Sequence, residues 1–157
     1  MHTPAFKAWL QQPVNNLDQW MLEGLNIGID TLKMESAIIS RINHRDYIIQ
    51  QSASRLGKLY SVGEHFDLSN TYCEAVVRQH KTISFNQVGN IPEMRLHPVY
   101  QSAHLESYIG APVHNNKGAV IGTLSFSDHE IRADGFTEEE ISFIEQMAAR
   151  LGKEIDP

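Results

Sequence analysis

Residues 107–128 read SYIGAPVHNNKGAVIGTLSFSD and carry the strongest signal for the fold. Two apolar segments flank a polar turn at residues 115–118, which is typical of two antiparallel strands joined by a hairpin. The small residues Gly110, Ala111 and Gly122 lie within these strands, where a neighbouring backbone or a ligand can approach closely. The stretch therefore predicts an antiparallel hairpin that a neighbouring backbone or a ligand can approach closely.

The segment after the hairpin predicts a long amphipathic helix. Thr137 and Glu140 match a capping box, in which each side chain accepts a hydrogen bond from the other residue's backbone. Apolar residues then recur at helical spacing: Ile141, Ile144, Met147, Ala148, Leu151 and Ile155. Because one face of the helix is apolar, it is expected to pack against the sheet.

The rest of the chain divides into shorter elements. Strands are predicted over residues 35–42, 47–53, 82–86, 106–114 and 119–128. Helices are predicted over residues 14–33 and 72–79, the second capped by Ser69 or Asn70, and residues 56–68 are expected to form a loop. Pro98 breaks or begins a helical segment within residues 92–105. This order predicts an α+β fold, a central antiparallel sheet with the N- and C-terminal helices on one face.

Composition excludes several classes of partner. The chain has 157 residues, a net charge of −6 and no cluster of Lys or Arg, so no nucleic-acid partner is expected. No apolar run is long enough to cross a bilayer, so no membrane partner is expected. Cys73 is the only cysteine and cannot form an intramolecular disulfide, which favours a reducing, cytoplasmic location.

Several short motifs occur in the order and spacing of one known family. They are GEHFDLSNTYC at residues 63–73, the strand at 81–86, HPVY at 97–100, YIGAPV at 108–113 and GAVIGTL at 118–124. The chain resembles the GAF domain, a small-molecule sensory and regulatory domain of signalling proteins. The resemblance implies a single domain over residues 1–157, with a core from about 17 to 155 and a helical segment over the second sheet face. It also implies a ligand pocket between that face and residues 85–105.

Eight side chains are candidates for the lining of such a pocket. Its apolar walls are expected to come from Phe85, Tyr100, Tyr108, Leu124 and Phe126. Its polar contacts are expected to come from His97, His104 and Thr123. Ligand pockets are mostly apolar with a few polar groups, which suits this set. The alternative is that the same aromatic residues simply pack into a core.

Cysteine content separates the branches of the family. Bilin-binding relatives attach the chromophore through a cysteine, commonly in the segment that corresponds to residues 93–105. That segment has no cysteine here, so no covalent bilin is expected. Relatives that reduce free methionine sulfoxide use two or three cysteines, and Cys73 alone cannot form a disulfide within one chain. The Asn-Lys-Phe-Asp-Glu signature of cyclic-nucleotide-binding relatives is also absent.

Catalytic and metal-binding patterns are sparse. Cys73 lies near the start of a predicted helix, where the helix dipole favours a reactive thiolate, but a packed structural cysteine is the favoured interpretation. The eight histidines form no His-x-x-x-His pair, and a metal site needs three or four converging ligands, so no metal is expected. The Gly-x-Ser-x-Gly and phosphate-loop motifs are absent.

These features predict a cytoplasmic sensory or regulatory domain that binds a small molecule and signals through its terminal helices. The resemblance implies a bacterial signalling protein: a histidine kinase, a diguanylate cyclase or phosphodiesterase, or a related regulator. The broad apolar surface of the first helix suggests burial on two sides, and the alternative is that its own domain simply covers it. Because the resemblance implies that the first and last helices pair across a two-fold axis, a homodimer through the terminal helices is expected, with Trp20 as a surface contact. Two alternatives stay open: a ligand-free dimerisation module, and a small enzyme that uses Cys73.

Overall fold

The computed structural model describes residues 3–57 and 60–156. Its helices are α1 Pro4–Gln11, α2 Leu17–Leu32, α3 Cys73–Gln79, α4 Pro98–Ala103 and α5 Glu138–Ile155. Its strands are β1 Ser36–Asn43, β2 Asp46–Ser54, β3 His65–Asp67, β4 Ile83–Phe85, β5 Ser107–His114 and β6 Val120–Asp128. Short 3₁₀ turns lie at Leu68–Asn70, Val88–Asn90 and Met94–Leu96.

The strands form one six-stranded sheet in the order β3-β2-β1-β6-β5-β4, and each neighbouring pair is antiparallel. The hairpin predicted from residues 107–128 is the β5–β6 pair, with Ser107 opposite Asp128. The Asn115 side chain accepts hydrogen bonds from the backbone of Lys117 and Ala119, which fixes the turn. The predicted α+β architecture is therefore confirmed.

The two faces of the sheet carry different layers. Side chains of a strand alternate between faces, so β6 points Leu124 and Phe126 to one side and Thr123 and Ser125 to the other. Helices α2 and α5 cover the first face, α1 packs on α2, and the three helices bury the larger apolar core. A smaller core on the second face lies beneath α3, α4 and the 3₁₀ turns.

Helix α1 was not expected from the sequence and changes the interpretation of α2. Thr3 caps α1 by accepting a hydrogen bond from Phe6 N at 3.2 Å, and Pro4 occupies the first turn. The Trp9 ring of α1 stacks on Trp20 of α2 with centroids 4.3 Å apart and planes 3° apart. Each indole N–H donates to the other residue's carbonyl, at 2.8 and 3.3 Å.

The prediction that Trp20 is a surface residue is wrong, because only 2% of it is exposed. The broad apolar surface of α2 is covered by α1 of the same chain, so this breadth no longer requires a second subunit. Gly24 and Gly28 allow the close contacts: a β-carbon at either position would overlap the ring of Trp9 or Phe126. The homodimer stays a prediction.

The capping box predicted for α5 is confirmed. Thr137 Oγ1 accepts from Glu140 N at 3.1 Å, and Glu140 Oε1 accepts from Thr137 N at 2.8 Å. The second oxygen of Glu140 is paired with Arg132, which also donates to the carbonyls of Leu32 at 3.0 Å and Gly135 at 2.9 Å. This cluster holds the C-terminal end of α2 beside the start of α5.

Two local predictions are corrected. Residues 56–68 are not entirely a loop, because β3 pairs Phe66 with Tyr47 at the sheet edge. With three residues and one apolar side chain, β3 has no alternation that the sequence could display. Neither Ser69 nor Asn70 caps α3; Asp67 instead caps the preceding 3₁₀ turn by accepting from Ser69 N at 2.9 Å. In the described ranges, no helix has the length and apolar character needed to cross a membrane.

Candidate ligand-binding cavity

A cavity of about 380 Å³ lies between the second face of the sheet and the layer formed by α3 and α4. We call it the sheet-side cavity. Strands β1, β2, β5 and β6 form its floor, α4 forms its roof, and Tyr60 and Phe66 close one side. It occupies the place that the family resemblance implies, on the face away from the terminal helices.

The floor is deep because a central strand carries small side chains on this face. Ser125 and Ser127 of β6 both line the cavity. The neighbouring strands contribute larger residues, Ile38 from β1 and Tyr108 from β5. Because the serines are flanked by larger side chains, a depression forms above β6 with hydroxyl groups at its base.

One wall of the cavity is a cluster of hydroxyl groups around the Cys73 thiol. Tyr108 donates to Cys73 Sγ at 3.1 Å and Thr123 donates to it at 3.2 Å. The thiol lies 3.8 Å from the hydroxyl of Tyr47, and Thr123 Oγ1 lies 2.6 Å from Ser40 Oγ. Cys73 is 2% exposed. The prediction of a packed cysteine agrees with this burial, although the residue also lines the cavity.

The tyrosines of the cavity are held in their neutral form. Burial is the main reason that the pKa values of Tyr47 and Tyr108 lie well above 10, and the nearby Cys73 raises both further. Burial also raises the pKa of Tyr60, with a smaller contribution from Glu64. These phenols can donate hydrogen bonds but carry no charge at physiological pH.

A small set of polar contacts within the roof and to the residues just before β5 holds the roof in place. His97 caps α4, since its Nδ1 accepts from Val99 N at 3.1 Å, and its ring lies 4.9 Å from that of Tyr72. Tyr72 donates to the carbonyl of Leu105 at 2.9 Å. Glu106 accepts from Gly89 N at 2.8 Å and from the Tyr100 hydroxyl at 3.2 Å. These bonds hold the segment between β4 and β5 over the floor.

Of the eight predicted lining residues, the structure places Tyr108 in the cavity wall. The placement of Leu124 and Phe126 is wrong: both point to the opposite face and are buried beneath the terminal helices. The reason is strand alternation, because Ser125 and Ser127 of the same strand face the cavity.

The other five predicted residues lie next to the cavity without lining it. Thr123 is buried behind Cys73, and the Phe85 ring meets Tyr72 edge to face and lies tilted against Tyr108. His97 and Tyr100 fix the roof through the bonds described above. His104 ends α4 with a left-handed backbone, is exposed, and lies against the Tyr100 ring.

The serines of β6 and Tyr47 of β2 were not predicted from the sequence as lining residues. A signal was present, because Thr123, Ser125 and Ser127 alternate with apolar residues along a central strand. Small polar residues at every second position indicate either a solvated face or a cavity floor. The described residues contain no group of three His, Cys, Asp or Glu side chains arranged to hold a metal.

A second concave region of about 530 Å³ lies between α5 and the edge of the sheet at β4 and β5. Its rim includes the exposed residues His80, Lys81, Asn116 and Lys153. Thr82 donates to Glu145 across it at 2.6 Å. Because its polar groups are already solvated, we place the candidate site in the sheet-side cavity instead.

Acidification is expected to loosen the cavity roof through His97. Its Nδ1 can accept the bond from Val99 N only while the ring is neutral. Partial burial lowers the pKa of His97 below its ordinary 6.5, against opposing effects of the Thr71 carbonyl and Glu74. The folded protein therefore favours the neutral ring. This stabilisation is present above about pH 6.5 and is lost as the pH falls through the lowered pKa.

The replacement His97→Asn isolates this effect. Asparagine keeps an oxygen acceptor at the cap but does not titrate, so the free energy of unfolding should fall less steeply below about pH 6.5. His104→Asn is the matched control, since asparagine tolerates the left-handed backbone there. Urea unfolding at a series of pH values measures both. If His97→Asn and the unaltered protein had the same pH dependence, protonation of His97 would not be the cause of the lost stability.

Cys73→Ser is expected to cost about 1 kcal/mol of stability and to leave ligand binding intact. A serine oxygen can still accept from Tyr108 and Thr123. Cys73→Val should cost more, about 2 kcal/mol, because the buried Tyr108 hydroxyl then loses its acceptor and Thr123 keeps only Ser40 as a partner. Chemical denaturation compares the two variants. If valine were the better replacement, the thiol would be a packing group and its hydrogen bonds would contribute little.

Comparison with known proteins identifies the family to which the chain is similar. A family model described as GAF domain matches residues 15–156. The GAF domain of an Acinetobacter phosphoenolpyruvate-protein phosphotransferase is similar, with a TM-score of 0.74, 18% identity, and coverage of 94% of this chain and 85% of that one. The corresponding domain from Coxiella burnetii has a TM-score of 0.71, 18% identity, and coverage of 96% and 92%.

The structural likeness extends to an enzyme. The type II free methionine-R-sulfoxide reductase of Thermoplasma acidophilum has a TM-score of 0.69, 15% identity, and coverage of 87% of this chain and 89% of that one. At these identities the structural matches show a shared fold. A comparison with curated protein sequences finds no match.

Proposed function

This chain belongs to the GAF domain family, and from that premise we propose that it binds a small molecule in the sheet-side cavity and transmits binding to its terminal helices. The family is a sensory and regulatory fold of signalling proteins. The observation that carries the proposal is the cavity itself: about 380 Å³ of space with hydroxyl groups at its base, within the usual size range of ligand pockets.

Strand β6 supplies the physical connection between the two faces. Ser125 and Ser127 touch the cavity, while Phe126 between them points to the helices. The Phe126 ring lies against Gly28 of α2 so closely that no side chain fits between them. A ligand that shifts β6 therefore changes the contact between Phe126 and α2.

Binding is tested with a thermal-shift screen of small metabolites. A ligand should raise the melting temperature by an amount that grows with its concentration. Ser127→Leu fills the cavity floor and should abolish that rise. Ser84→Leu, on the exposed part of edge strand β4, is the matched control and should preserve it. Equal responses of both variants would place the binding elsewhere.

Transmission is tested by intrinsic fluorescence. Trp9 and Trp20 are the chain's two tryptophans, and both lie in the core beneath the terminal helices. Their emission therefore reports on α1 and α2 without contact to the sheet-side cavity. A ligand identified by thermal shift should change this emission in the unaltered protein and leave it unchanged in Ser127→Leu. If a tightly bound ligand left the emission unchanged, ligand binding would not alter the conformation of α1 and α2.

A homodimer through the terminal helices of a bacterial signalling protein remains part of the proposal. Leu22 supports it, because this apolar residue of α2 is 38% exposed. An isologous contact would bring the same helix faces of two subunits together. Sedimentation at micromolar concentration should give a dimer that Leu22→Glu converts to a monomer. A monomer in the unaltered protein would remove this part of the proposal.

A further inference from the structure

We propose that the ligand of the sheet-side cavity is an uncharged, mostly apolar molecule, and that the cavity discriminates against carboxylate, phosphate and ammonium groups. This inference rests on the proposed function and deepens it by naming the chemical class. The lining of the cavity contains no Asp, Glu, Lys, Arg or His among the described residues. A charged ligand would therefore lose part of its hydration without gaining an opposite charge.

Three acidic residues near the cavity already have partners of their own. Glu74 follows Cys73 in the chain and forms an ion pair with Arg78 at 3.0 Å. Asp67 follows Phe66 and lies 3.5 Å from Arg45. Glu106 is held by Gly89 N and the Tyr100 hydroxyl. None of these carboxylates is a free partner for a ligand cation.

Two basic side chains near the cavity are also engaged outside it. Arg78 and Arg45 belong to the ion pairs above, and each is more than half exposed. His97 accepts from Val99 N and favours its neutral form. An anionic ligand would therefore find no cation among the described residues of the lining.

Some polar groups of the cavity already donate a hydrogen bond within the protein, and others are free to bind a ligand. Tyr108 donates to Cys73, and Tyr72 donates to the carbonyl of Leu105. The Ser127 hydroxyl and the Asn70 amide line the cavity and form no side-chain hydrogen bond within the described residues. Each can both donate and accept. They match the carbonyl, hydroxyl or amide of a neutral molecule.

The walls favour a flat molecule of one or two rings. Tyr60 and Phe66 meet edge to face on one side with centroids 5.7 Å apart. Tyr72 and Tyr108 do so on the other at 5.5 Å. Aromatic walls bury apolar rings well. The volume of about 380 Å³ is near the lower end of ligand pockets, which limits the ligand to this size.

Three one-ring compounds of nearly equal shape test the class: benzamide, benzoate and benzylamine. At pH 7.5 they are neutral, anionic and cationic. Titration calorimetry on the unaltered protein should show benzamide binding, with benzoate and benzylamine weaker by about tenfold or more. Ser127→Leu should abolish benzamide binding, and Ser84→Leu should keep it.

A negative charge on the cavity floor should reverse the preference for benzamide over benzylamine. Ser127→Asp is expected to gain benzylamine binding and lose benzamide binding, and a gain of binding cannot come from a misfolded variant. Ser84→Asp is the control and should retain the original order. Failure of Ser127→Asp to change the order would contradict the placement of the ligand above Ser127.

The outcomes separate this inference from the proposed function. If benzoate or benzylamine binds as tightly as benzamide and Ser127→Leu blocks it, the cavity binds ligands but the neutral class is wrong. A charged metabolite from the thermal-shift screen that depends on Ser127 has the same meaning. If none of the three compounds binds and the screen finds no ligand sensitive to Ser127→Leu, both the class and the proposed function fall.

Discussion

Trp20→Ala is expected to lower the free energy of unfolding by about 3–5 kcal/mol, a large effect for one side chain. Trp20 is 2% exposed and stacks on Trp9 across the contact between α1 and α2. Its indole N–H donates to the Trp9 carbonyl, and the Arg150 guanidinium lies 5.2 Å from its ring centre. The substitution removes all of these contacts and leaves a cavity where α1 docks.

Urea unfolding, followed by far-ultraviolet circular dichroism, measures the loss. Asn26→Ala is the matched control on the same helix, because that asparagine is exposed and its replacement should change stability by only about 0.5 kcal/mol. Equal effects of the two substitutions would contradict the docking of α1 on α2. They would instead restore Trp20 as a surface contact.

Arg132→Ala is expected to cost about 3 kcal/mol of stability. The substitution leaves the Glu140 carboxylate without its ion-pair partner, and the Glu140 side chain is only 10% exposed. It also removes the donor to the Leu32 carbonyl at the end of α2. The expected loss therefore has two sources: an unpaired buried charge and a lost helix contact.

Chemical denaturation with a second substitution separates these sources. Glu140→Gln in the Arg132→Ala background removes the buried charge and keeps an oxygen for the capping box, so stability should partly recover. Arg78→Ala is the control, since its pair with Glu74 is exposed and should contribute about 0.5 kcal/mol or less. No recovery in the double variant would mean that the unpaired charge of Glu140 is not a source of the loss.

Elements with local signals could be predicted from the sequence. The β5–β6 hairpin follows from residues 107–128, and the start of α5 follows from Thr137 and Glu140, because strand alternation and helix capping depend on neighbours in the chain. Helix α1 buries only Phe6 and Trp9, so its eight residues show too short an apolar pattern for a confident helix. Its role depends on Trp20, eleven residues away from Trp9.

The site was less predictable because a strand pattern does not say which face carries the pocket. In β6 the apolar residues Leu124 and Phe126 were the natural candidates for an apolar pocket. In the structure, these two residues pack against the terminal helices and belong to the larger core. The cavity instead receives Ser125 and Ser127, and its volume arises from their small size. Helix packing decides which sheet face is covered by the terminal helices and which carries the cavity. This is a tertiary property, so the alternation of residues within a strand does not reveal it.

Native mass spectrometry of the protein purified from host cells tests whether the sheet-side cavity holds a small molecule. A noncovalent adduct is expected on the unaltered protein, either as purified or after incubation with a metabolite extract. The adduct should dissociate on denaturation, be uncharged when released, and be absent from Ser127→Leu but present on Ser84→Leu. A bare protein mass under all of these conditions, or an adduct that Ser127→Leu retains in full, would contradict ligand binding in the sheet-side cavity.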